Sequence, residues 1–131
     1  MIYLDANVVI RLVEGDAATR APLVTRLSPM LGVPRSLITS RLTRLECRSR
    51  PLRTGDKATL AQFEVFFNGV ELDLFEVSAA VVELATELRA KYNLRTPDAL
   101  HYATAVEAGA TTFLTGDRGL TRCSDVSVEV L

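Results

Sequence analysis

Apolar positions along this chain repeat with two periods, and the switches between them mark its elements. Ile2-Tyr3-Leu4 is short, apolar and partly β-branched, as expected of a buried strand, whereas NVVIRLVEG carries helical spacing up to Gly15. From Asp16 to Leu31 the apolar residues Leu23, Val24, Leu27 and Leu31 recur at helical spacing, with Asp16 as N-cap and Gly32-Val33-Pro34 as the stop. SLITS reads as a second strand. RLTRLECRSR after it spaces Leu42, Leu45 and Ser49 along one helical face.

Thr54-Gly55-Asp56 then breaks the chain before a helix holding Leu60, Phe63, Phe66 and Phe67, and VELDLFEV alternates apolar and acidic residues as a strand does. Ser78 caps a helix whose apolar set is Val81, Val82, Leu84, Ala85 and Leu88 and which runs to about Tyr92. In LRTPDALHYATAVEAGA, Thr96 reads as N-cap, Pro97 as the first helical residue and Gly109 as the breaker. TTFLT and VSVEVL close the chain as strands. Strands alternating with helices over short connections predict the α/β class: a three-layer α/β/α sandwich around a central, mainly parallel sheet of about five strands, with right-handed crossovers.

Composition narrows this further. A chain of 131 residues suits one domain, residues 1–131, and its 48% apolar content is enough to build a core. The formal charge of −1 argues against coating nucleic acid by bulk attraction, so any such contact rests on local clusters. Arg35, Arg41, Arg44, Arg48, Arg50, Arg53 and Lys57 form one, suited either to a phosphate backbone or to a solvated helix face. Cys47 and Cys123 are too few for a disulfide scaffold or a recognisable zinc site and read as small packing residues. No apolar run approaches the roughly 20 residues that span a bilayer and no signal-type leader is apparent, so a cytoplasmic protein without membrane contact is expected.

In an open parallel sheet the ligand crevice lies beyond the carboxyl ends of the strands, and four acids fall near such ends. Asp5 follows the first strand, Glu46 lies about two turns into the helix after SLITS, Asp98 sits in the first turn of its helix and Asp117 follows FLT. Each has an ordinary explanation: Asp98 complements the helix dipole, Asp117 occupies a turn, and Glu46 is solvated at the edge of an apolar stripe. Asp5 resists one, because an acid closing a central buried strand loses hydration and needs a cation or hydrogen bonds in return. Asn7 reads as the cap of the helix it precedes or as a neutral partner holding Asp5. Carboxylates gathered in one cleft repel one another, and a hard divalent cation bound through oxygen relieves this, Mg²⁺ or Mn²⁺ rather than zinc.

YLDANVVI, TSRLTRLE, LRTPDALHYATA and FLTGDRGL, in this order over the whole chain, resemble the PIN-domain ribonucleases and especially the VapC toxins of toxin–antitoxin pairs. The resemblance implies that Asp5, Glu46, Asp98 and Asp117 form an acidic pocket, with Asp5 and Asp98 the principal Mg²⁺ ligands and Asn7 and Thr115 in support. It implies metal-dependent hydrolysis of RNA, Glu46 and Asp117 orienting the attacking water or holding a second ion. Arg41, Arg44, Arg48, Arg95 and Arg118 are the candidate RNA contacts. The family often has Thr or Ser where Ala6 stands here, which removes a hydroxyl but no acid. The resemblance further implies a homodimer and a cognate VapB-like antitoxin, with the helices of Ala17–Leu31 and Lys57–Phe67 as candidate partner surfaces. His101, one turn after Asp98, reads as a packed helix histidine rather than a general base. The rivals are a non-catalytic RNA-binding or interaction module on the same fold, and a haloacid-dehalogenase-like phosphatase, which needs a second Asp where this chain has Asn7.

Overall fold

The computed structural model describes residues 1–131. Five strands pair in the order β3-β2-β1-β4-β5, every pair parallel. β1 (Ile2–Leu4) lies at the centre between β2 (Leu37–Ser40) and β4 (Thr112–Thr115), and all three of its residues are buried. Covered on both faces, it needs an unbroken apolar run. The edge strands β3 (Leu72–Phe75) and β5 (Ser127–Val130) are half covered and carry acids, Asp73 paired with Arg35 and Glu129 with Arg26.

Successive residues of the central strands point to opposite faces, which divides the core in two. Ile2, Leu4, Leu37 and Leu114 pack with α1 (Ala6–Glu14), α2 (Ala17–Leu27), α3 (Arg41–Thr54) and α4 (Lys57–Phe67). Tyr3, Ile38 and Phe113 pack with α5 (Ala79–Tyr92) and α6 (Thr96–Glu107). The Tyr3 and Phe113 rings stack at 5.1 Å between centroids. This is the expected α/β/α arrangement with five strands. No helix is long and apolar enough to cross a membrane.

Several element details differ from the pattern-based reading. α2 stops at Leu27, where a 3-10 turn over Ser28–Met30 takes in Pro29, whose missing N–H cannot continue the α-helical ladder. Leu31 is therefore outside the helix and exposed. α3 buries Thr43, Cys47 and Pro51, not the Leu42 and Leu45 side, and Leu45 is 63% exposed. The helix phase follows from its start: the Ser40 hydroxyl caps it by accepting from the Leu42 N–H, and Thr43 then meets Thr39 at 2.7 Å inside the core. Arg95 rather than Thr96 is the N-cap residue of α6, and Thr96 makes no capping bond, since Pro97 is equally at home one position later in the first turn.

Candidate active site

Asp5 closes β1 and opens α1 at once. Its Oδ1 accepts the Ala6 N–H at 2.8 Å, making it the N-cap residue, while Oδ2 accepts the Thr115 hydroxyl at 2.8 Å and the Asn7 amide at 3.2 Å. Asn7 thus lies in the first turn of α1 as the partner of Asp5 and does not cap that helix. Its Oδ1 also takes the Gly116 N–H at 2.9 Å, and Thr115 Oγ1 accepts the Asp117 N–H at 3.0 Å. These bonds tie the end of β1 to the end of β4 at the carboxyl edge of the sheet. Asp5 is only 4% exposed. Burial, foremost, and the charge of Asp98 hold its carboxyl above the ordinary carboxylate range, against the pull of His101 and of the Thr115 and Ala6 hydrogen bonds.

Asp98, from the first turn of α6, faces the same edge but is held from outside. Arg95 Nε donates to its Oδ2 at 2.9 Å, and that guanidinium is 79% exposed. The Arg95 charge is held in place mainly by the Asp98 bond, and it also feels Asp117 and Asp5. Arg95 therefore stands as a cation among three of the four predicted acids. Asp117 caps the short helical turn Arg118–Arg122, accepting the Gly119 N–H at 2.8 Å, and shares an open polar cleft with Asn7, Arg11, Arg95 and Gly116.

Glu46 reaches the edge from α3, and its Oε1 lies 2.7 Å from His101 Nε2. The other ring nitrogen, Nδ1, lies 2.7 Å from the Tyr3 hydroxyl.

A model of the PIN domain family matches residues 2–126. The chain belongs to the PIN-domain family. This PIN domain is similar to a chain of the Rickettsia felis VapBC2 complex bound to promoter DNA, with a TM-score of 0.77 at 17% identity over 98% of each chain. It is similar also to a chain of the DNA-bound VapBC of Salmonella typhimurium, with a TM-score of 0.75 at 17% identity over 98% of this chain and 96% of that one. Mycobacterium tuberculosis VapC20, a sarcin-ricin loop cleaving toxin, matches with a TM-score of 0.65 at 22% identity over 86% and 87% of the two chains. At these identities the likeness speaks to the fold. No curated protein sequence matches significantly.

The PIN-domain site holds no three Asp, Glu, His or Cys side chains already converged on one point. Its donors nonetheless suit a hard cation, since they are carboxylate oxygens and the Asp5 carboxyl, buried foremost, also lies in the field of Asp98. To face such an ion Asp98 has only to leave Arg95, and an exposed i,i+3 pair is worth about 0–1 kcal/mol. The residues fit the ion.

Of the other candidate arginines, Arg41 pairs with Glu76, while Arg44 and Arg48 share Glu64. Arg35 and Arg50 are likewise paired, with Asp73 and Glu14. Much of the apparent basic cluster is thus neutralised by acids of neighbouring elements. Arg118 stands exposed beside Asp117 at the start of its turn. Sequence reading passed over Tyr3 and Arg11, which periodicity marks only as strand and helix residues; a phenol in an all-apolar central strand was the available signal for the first.

Proposed function

We propose that this PIN domain is a Mg²⁺-dependent endoribonuclease, Mn²⁺ substituting, and that it is the toxin of a toxin–antitoxin pair. The observation that carries the reading is Asp5: a carboxylate fixed by hydrogen bonds at the carboxyl edge of the central strand, with Asp98 in its field and oxygen donors around it. Asp5 and Asp98 are the proposed ligands, Glu46 and Asp117 joining them directly or through water. When bound, the ion supplies Lewis acidity to a phosphodiester and lowers the pKa of water toward neutrality. Thr115 and Asn7 hold the Asp5 carboxylate in one orientation before substrate arrives. Glu46 and Asp117 orient the attacking water. Arg95 and Arg118 take the phosphate charge, and Arg95 exchanges Asp98 for a phosphate oxygen as RNA enters. Arg44 and Arg48 against the single Glu64, with Arg41 nearby, leave that flank of α3 net positive and suited to steering RNA.

The VapBC neighbours support a VapB-like antitoxin partner, and cytoplasmic residence accords with it. Its proposed seat is the groove where Leu12 and Val13 of α1, Val24 of α2 and Val65 and Phe66 of α4 line an apolar surface beside Leu31. Leu23, Phe63 and Phe67 of the same helices are core and take no part, while Leu27, largely buried, contributes to the groove's floor. A homodimer belongs to the same proposal. One rival has an observation behind it: the Arg95–Asp98 pair, left closed, would suit a non-catalytic RNA-binding module.

Cleavage of total RNA in Mg²⁺, in EDTA, and by Asp5→Asn and Asp98→Asn separates the two. Loss of cleavage in EDTA and in both variants is expected. Undiminished cleavage by either variant sinks the mechanism, and RNA binding without metal-dependent cleavage favours the module.

A further inference from the structure

His101 is the single histidine of the chain and is 1% exposed, and neither ring nitrogen bonds to backbone. Its ring bridges two side chains, Tyr3 Oη and Glu46 Oε1, each at 2.7 Å. Tyr3 comes from the central strand, His101 from α6 on one face of the sheet and Glu46 from α3 on the other, so the chain of bonds joins both helical layers across the carboxyl edge. Burial obliges both ring nitrogens to find partners, and the partner of Nε2 is one of the four acids, Glu46.

The protons follow from the surroundings. Tyr3 is fully buried with its hydroxyl 2.7 Å from Nδ1, and an ordinary phenol keeps its proton at neutral pH. It therefore donates to Nδ1, and Nε2 carries the proton that is donated to Glu46. The Glu46 side chain is 31% exposed, so one oxygen is committed to His101 while the carboxylate stays open to solvent.

We propose that His101, backed by Tyr3, is the positioning residue that fixes the Glu46 carboxylate for its work at the acidic pocket. The idea rests on the proposed nuclease site and deepens it: Asp5 is oriented by Thr115 and Asn7, and Glu46 by this second, separate device. An outer group of this kind changes metal affinity or activity by about 10- to 100-fold when removed. His101→Leu lowers the apparent kcat on total RNA by about that factor and leaves KM nearly unchanged, whereas His101→Gln, whose amide N–H reaches toward Glu46, recovers most of the loss. Tyr3→Phe, which leaves the ring free to turn, gives a smaller fall in the same direction. In a Glu46→Gln background His101→Leu adds little, because both act through one carboxylate.

The tests read kcat and KM on total RNA, Mn²⁺ binding by electron paramagnetic resonance, and the ¹⁵N resonances of the single imidazole in metal-free protein. A protonated Nε2 with an unprotonated Nδ1 is expected. Weaker Mn²⁺ binding in His101→Leu assigns the work of Glu46 to the metal, and unchanged binding beside the kcat loss assigns it to water; both support the proposal. The opposite tautomer overturns it. So do equal losses in the Leu and Gln variants, or a folded His101→Leu variant with wild-type kcat. If His101→Leu is silent while Asp5→Asn is dead, this inference alone fails; if Asp5→Asn cleaves normally, the nuclease reading fails first.

Discussion

Asp5 and Asp98 stand at the same carboxyl edge of the sheet, yet they are held by different kinds of structure. Asp5 is buried, caps α1 and accepts bonds from Thr115 and Asn7. Glu46 shares this fixed character through His101. Asp98 lies in an exposed pair with Arg95, and Asp117 caps a surface turn. One half of the site is preorganised by the fold, and the other is held by bonds that cost little to break. A fixed half sets geometry without reorganisation during reaction, while a movable half admits a charged ligand and its counter-charge.

The strongest test of that contrast removes each acid. Asp5→Asn and Asp98→Asn both lower RNA cleavage on the order of 10²–10³-fold, the scale of losing one preorganised electrostatic group. Stability tells them apart. Because burial makes folded Asp5 bind its proton more tightly than the unfolded chain does, the metal-free protein loses stability as pH rises from the ordinary carboxylate range through the raised Asp5 value. Thermal melts in EDTA will show that loss in the wild type, and Asp5→Asn will flatten it. A wild-type stability that climbs with pH in that window contradicts the assignment.

Thr115→Val removes a buried hydroxyl that both donates to Asp5 and accepts from Asp117, and urea unfolding is expected to report a loss of about 1–3 kcal/mol. Arg95→Gln, on the movable side, changes stability by less than about 0.5 kcal/mol and tightens Mn²⁺ about two- to fivefold, since Asp98 is released in advance. Weaker Mn²⁺ binding by Arg95→Gln removes the distinction between the halves. The smallest effect is chemical: Cys47 in the α3 core, its thiol pushed up to about 12 by burial, stays unalkylated by iodoacetamide in the native protein, as mass spectrometry of the quenched reaction will report.

The sheet and its helices were legible because β1, β2 and β4 are short apolar runs and because Asp16, Ser78 and Gly55 mark helix ends by local chemistry. Gly55 closes α3 at φ 72, where a side chain would be strained. The α3 face was misread because leucines outweigh Thr43 and Cys47 in any apolar count, although the small residues are the ones that fit beneath the helix. Asp5 and Asp117 were visible from their places after strands, Glu46 and Asp98 from their places early in helices. What held them was not, because Tyr3–His101 and Asp5–Thr115 join residues 98 and 110 positions apart. The partners of the arginine cluster were hidden for the same reason: Glu64 and Glu76 lie outside α3.

The central place of β1 in the sheet also sets the order in which the pocket comes into being. β1 is the first strand made, and its neighbour β4 follows about a hundred residues later. At roughly 5–20 residues per second on the ribosome, Asp5 waits on the order of 5–20 s for the Thr115 that orients it. A nascent chain cut short before Thr112 has its first acid, its second and its third, but neither the strand that closes the sheet around Leu4 nor the hydroxyl that aims Asp5. Translation products that stop before β4 are therefore without the bonds that shape the pocket around Asp5.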